Sequence, residues 1–193
     1  MRLVSLKTYR IIRFALENRE FKQLEAHKKT GVSFGRVNFV TNWLVAHGYV
    51  ARSTGVYIVI APAALAQQFS FFRRMEALKT ASFMVEASGE ELLEVLAENH
   101  AALCSTSALQ RYDDYFRDPS IHAYAGPQAI EALKQFSPGR TSVTLYRDDF
   151  RQEDDFEATK EGFRATKKTR TIIDVLCSQR AYAAGGLIKR TWG

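Results

Sequence analysis

Acidic residues are scarce where the chain begins. Residues 1–75 hold 3 Asp and Glu against 12 Lys and Arg, a net charge of +9, whereas residues 76–193 hold 18 against 15, a net of −3. The basic character therefore belongs to the first third alone, and it points to a polyanion partner for that part. Cysteine is also scarce. Cys104 and Cys177 lie far apart without a neighbouring His or Cys at metal-ligand spacing, which argues against a disulfide framework or a zinc site and for reduced core thiols of a cytoplasmic protein. Long apolar runs are missing. The longest uncharged one, VYIVIAPAALA, is too short to span a bilayer and contains Pro62, and Arg10, Arg13 and Glu17 interrupt the opening segment where a signal peptide would need its apolar stretch. No membrane association is expected. There is no Gly-rich phosphate loop, no internal repeat and no low-complexity tract. The four histidines, at 27, 47, 100 and 122, are scattered, and no cofactor or metal site is expected.

What remains is an ordinary globular composition, 46% hydrophobic and 25% charged over 193 residues, enough for one large domain or two small ones. In the segment 5–18, Leu6, Tyr9, Ile11, Ile12 and Leu16 recur at helical spacing. A second helix fits 20–29 and stops at Thr30-Gly31, and Ser33 is an N-cap for a third running to about His47. Period two then takes over. Residues 49–52 and 56–60 read as strands around Ser53-Thr54-Gly55, a hairpin signal. Pro62 opens a helix bridging residues 63–79 to a second domain over 80–193.

The third helix carries the functional signal. Phe34, Val37, Val40, Thr41 and Leu44 share its inner face, which leaves Arg36, Asn38, Phe39, Asn42 and Trp43 outward at 100° per residue. Arg pairs with guanine edges and Asn with adenine edges, so Arg36, Asn38 and Asn42 are candidate base readers. Ser33 at the helix start, Lys28 and Lys29 at the end of the second helix, and Arg52, Ser53 and Thr54 in the hairpin are candidate backbone contacts. Phe39 and Trp43 pack against the hairpin or bridging helix, or Phe39 contacts a thymine methyl, or the two anchor a protein partner.

Residues 1 to about 75, through LVAHGYVARSTGVYIV with its helix end, glycine, strand, tip and strand, resemble the winged helix-turn-helix transcription factors of bacteria and archaea. The resemblance implies duplex DNA as partner and the third helix as reader; one winged helix gives a short footprint, so a homodimer or tandem binding on a repeated site is expected. The predicted architecture is α/β (α+β), with an N-terminal winged helix-turn-helix over 1–62 followed by a mixed α/β domain.

In the second domain, strands are predicted at 81–87, 101–105, 121–125, 142–146 and 162–165. Helices are predicted at 90–99 behind a Ser88/Glu91 capping box, and at 108–116, 128–136 and 169–178. Ser105-Thr106-Ser107, Asp113-Asp114 and Asp148-Asp149 echo a degenerate nucleotidyltransferase. The glycine before the serine is missing, however, and adjacent carboxylates on a helix point about 100° apart, so catalysis is not expected. The acidic stretch 148–157 reads as a solvated loop. Thr169, Arg170, Thr171, Asp174 and Leu176 resemble a segment of the AbiEi-type antitoxins, which implies a regulator that also neutralises a protein partner. The plainer reading makes Arg170 and Asp174 a surface pair on an amphipathic helix.

Overall fold

The computed structural model describes residues 3–193; Met1 and Arg2 of the opening segment lie outside the described residues. The chain divides into a first unit running to Arg73, joined by Trp192, and a second from Arg74 to Thr191 with Gly193.

In the first unit, helix α1 (Leu6–Asn18) buries Tyr9, Ile11, Ile12 and Leu16, whereas Leu6 is exposed. Arg19 ends it with a positive φ of 62° and donates its N–H to Ala15 O, which satisfies a last-turn carbonyl. The chain then enters a two-residue strand, β1 (Glu20–Phe21), before α2 (Gln23–Thr30). The helix predicted to begin at residue 20 therefore starts three residues later. Gly31, at φ 66°, closes α2 as expected. Helix α3 (Phe34–Ala46) buries Val37, Val40, Thr41 and Leu44, but Phe34 stays on the surface, edge-on to His27. Strands β2 (Val50–Ser53) and β3 (Val56–Val59) follow as a hairpin. Thr54 and Gly55 both have positive φ, 46° and 84°, the signature of a type I′ turn. The three strands form an antiparallel sheet in the order β1-β3-β2, with Phe21 opposite Tyr57 and their rings stacked at 5.8 Å.

The bridging helix predicted over 63–79 is broken. Helix α4 (Pro62–Gln67) passes into a 3-10 turn over Gln68–Phe71, and a second 3-10 turn covers Met75–Leu78. Ser70 Oγ donates to Gln67 O at 2.8 Å, a local bond that competes with continued helix.

The second unit is built on a six-stranded sheet, in which β4 (Lys79–Val85), β5 (Ala102–Leu103), β6 (Ile121–Tyr124), β7 (Thr141–Tyr146), β8 (Phe156–Ala158) and β9 (Arg164–Thr166) lie in the order β4-β7-β6-β5-β9-β8. The pairs β6/β7 and β5/β9 are parallel and the others antiparallel. Helices α5 (Gly89–Glu98) and α7 (Pro127–Leu133) supply Leu92, Leu96, Ala129 and Leu133 to a core with Ala123, Val143, Leu145 and Ala165. Ser88 caps α5 by accepting from Glu91 N–H at 3.1 Å.

The helix predicted over 108–116 lies earlier and is shorter: α6 (Ser105–Leu109) opens on Ser105 at φ 50°. After it Asp113 and Asp118 accept from the N–H groups two residues on, making Asx turns that hold this segment out of helix. Helices α8 (Lys168–Leu176) and α9 (Gly185–Trp192) end the chain. Cys104 and Cys177 are both buried. Among the described residues no helix is long and apolar enough to cross a membrane.

Candidate nucleic-acid interface

The exposed face of α3 follows from its buried one. With Val37, Val40, Thr41 and Leu44 committed to the core, rotation by 100° per residue turns Gly35, Asn38, Phe39 and Asn42 outward. Asn38 and Asn42 are exposed and joined: Asn42 Nδ2 donates to Asn38 Oδ1 at 3.2 Å, and Gln23 Nε2 from α2 donates to the same oxygen at 3.1 Å. Phe39 is 51% exposed.

Arg36 sits differently from its neighbours. It is half-buried, its Nη2 donates to Thr8 Oγ1 of α1 at 2.7 Å, and its Cζ lies 5.3 Å from the centroid of the Phe39 ring. The structure thus brings Asn38 and Asn42 together on the outward face and ties Arg36 back towards α1. Trp43 stacks on His47 at 4.0 Å and lies 5.9 Å from the Tyr49 ring, so it packs next to the strand rather than standing free.

The expected backbone contacts surround this face in sequence and are all exposed. Lys28 and Lys29 occupy the last turn of α2, and Ser33, at the N-cap of α3, makes no side-chain capping bond. Arg52, Ser53 and Thr54 occupy the end of β2 and the hairpin tip, with Arg52 Cζ 5.8 Å from the Tyr57 ring centroid. A helix presenting amides and an open aromatic ring, flanked by lysines and a basic hairpin, is able to meet base edges and phosphates together.

The second unit holds a different cluster, which sequence reasoning misplaced. Arg170 and Asp174 are not a surface pair: their side chains are fully buried. Arg170 Nε donates to Asp174 Oδ1 at 2.9 Å, Nη1 to Asp155 at 3.2 Å, and Nη2 to Asp148 and Asp149 at 3.2 and 3.1 Å. Tyr124 OH accepts from Nη2 at 2.6 Å and donates to Asp174 at 2.8 Å. The guanidinium lies between the Tyr124 and Phe150 rings, 4.8 and 4.6 Å from their centroids. The acidic stretch 148–157 is therefore no solvated loop, since Asp148, Asp149 and Asp155 fold over a buried cation. Thr169, Thr171 and Leu176, which carried the antitoxin resemblance with this pair, are buried too. The remaining signal in the sequence was Phe150, an aromatic in the middle of the acids.

Asp148 and Asp149 are drawn to Arg170, whereas Asp113 pairs with Arg190. The Arg190 guanidinium beside Asp113 holds its carboxyl below the usual range. Among the described residues no group of three or more His, Cys, Asp or Glu is disposed to hold a metal ion. A further buried set surrounds His122. Its Nδ1 lies 3.0 Å from Tyr146 OH and its Nε2 3.5 Å from Asp118. Burial lowers the His122 pKa to about 4 and raises that of the Tyr146 phenol. Asp118 does not reverse this, because its carboxylate is already taken by Arg180, the Thr106 hydroxyl and the Ser120 N–H. Compared with protein-family models, with curated proteins and with solved structures, the chain matches none.

Proposed function

We propose that the first unit is a winged helix-turn-helix that binds duplex DNA, and that the chain is a cytoplasmic transcriptional regulator. The observation that carries this reading is the element order α1-β1-α2-α3-β2-β3 on a β1-β3-β2 sheet, with the outward face of α3 bearing Asn38 and Asn42. The net charge of +9 over residues 1–75 supports a polyanion partner. In this reading α3 enters the major groove, Lys28, Lys29 and Ser33 hold phosphates, and the hairpin with Arg52, Ser53 and Thr54 meets the neighbouring backbone. One reading helix covers a short half-site, so a homodimer on a repeated sequence is the working stoichiometry. The second unit then serves as the regulatory or partner-binding part.

Titration of fluorescent duplexes with the whole protein at several salt concentrations tests this reading. It should compare random DNA with DNA from immediately upstream of the gene. Tight, salt-dependent binding that prefers the upstream fragment is the expected result; no binding at low salt would refute it. Phe34 and Phe39 of α3, at 47% and 51% exposure, favour a second reading, in which the same face docks a protein. That reading gains if DNA binding fails.

A further inference from the structure

Resting on the DNA-binding reading above, we infer that the base-reading face of α3 selects A·T pairs through the major groove. Asn42 reads adenine, Asn38 positions it, and Phe39 contacts thymine methyl groups.

The hydrogen-bond inventory assigns the roles. Asn38 Oδ1 accepts from both Asn42 Nδ2 and Gln23 Nε2, which fills its two lone pairs. Asn38 therefore cannot present the acceptor that adenine N6–H₂ requires. Asn42 keeps its own carbonyl oxygen and one N–H, the complementary pair for the N6–H₂ and N7 of adenine. The bond to Asn38 fixes the orientation of the Asn42 amide before DNA arrives, so less side-chain freedom is lost on binding.

Guanine needs the parallel donors of an arginine or the charge of a lysine. Arg36 is the only such side chain on α3, and it is turned to Thr8 and to the Phe39 ring. That arrangement has a second effect, because it braces Phe39 while leaving half of it exposed. An exposed, braced ring on a face meant for a groove finds its apolar match in the thymine C5-methyl group, and there is none on cytosine. Gly35 lies on the same face, and a Cβ placed there would meet nothing within 4 Å, so the helix approaches the base edges without obstruction at that point.

The test begins with the whole protein selecting from a randomised duplex pool at moderate salt. Affinities are then compared for the selected duplex with thymine replaced by uracil, or adenine by 7-deazaadenine, both of which change the major groove alone. A·T-rich sequences should be enriched. Uracil should weaken binding about fourfold for each contacted methyl, and 7-deazaadenine at the read position should cost part of the roughly 5- to 150-fold that a bidentate pair contributes. Asn42→Ala should lose the preference at one base pair yet keep salt-dependent binding to all duplexes. Enrichment of G·C-rich sites that is lost in Arg36→Ala, or equal affinity for the thymine and uracil duplexes, overturns the inference while leaving DNA binding intact. Failure to bind any duplex at low salt removes the functional reading itself.

Discussion

Burying a guanidinium with no solvent exposure is costly unless each donor finds an acceptor. All three nitrogens of Arg170 find acceptors, among four carboxylates and a phenol. Removing the cation leaves those carboxylates together without it, so Arg170→Met should destabilise the protein by about 3–5 kcal/mol in urea unfolding. Arg170→Lys should recover only part of this, because one ammonium cannot span the fork of partners. Asp155→Asn should cost less than either, since it removes charge from the acidic side of the cluster. His122 makes a separate prediction. Its folded pKa of about 4 lies below the ordinary 6.5, so between those values the unfolded chain binds the proton and the native one does not. Stability is therefore complete above about pH 6.5 and is lost as pH falls, by up to about 3 kcal/mol at pH 4. Urea midpoints measured from pH 7 to 4 should fall more steeply in the wild type than in His122→Gln.

At the scale of elements, the hairpin tip contains a β-branched residue at φ 46°. Thr54→Asn tolerates that conformation better, and thermal unfolding should show a gain of about 1 kcal/mol. The hairpin was legible because Thr54-Gly55 sits between alternating residues, and α5 because Ser88 and Glu91 announce its start. Helix α3 was legible down to four of its five inward residues. Phe34 broke the pattern because at the first turn it meets His27 at the surface rather than the core. Strand β1 was not legible, since two residues carry no period and Phe21 takes its meaning from Tyr57, 36 positions away in sequence. The 148–157 segment failed for a related reason. A run of acids looks solvated until the cation it surrounds is known, and Arg170 comes after the run ends. Asn38 and Asn42 were visible as an outward pair, but the role of Arg36 depended on Thr8, which only the packing of α1 supplies.

The whole molecule joins a strongly basic segment to a mildly acidic one, and under the DNA-binding proposal affinity should depend on salt accordingly. Log affinity should fall with log salt by about 0.9 for each phosphate neutralised. Lys28→Ala and Lys29→Ala should each flatten that slope by about 1 and weaken all duplexes alike. Equal slopes in wild type and both variants would place the phosphate contacts elsewhere.

The sheet order of the second unit also bears on how the protein is made. Strand β4 waits for β7, and β5 waits for β9 near the end of the chain. These pairings span longer stretches of chain than the first unit's β2-β3 hairpin and its β1-β3 pairing, and they make the second unit the slower to fold. During synthesis α1 to α4 and the β1-β3-β2 sheet emerge long before residue 164, although Trp192 of the first unit comes last, and in that interval β5 still has an open edge and Asp148, Asp149 and Asp155 still lack Arg170. A ribosome stalled in that interval holds a first unit still without Trp192 and a second whose sheet is unclosed, and chaperones and proteases would meet the unclosed sheet first.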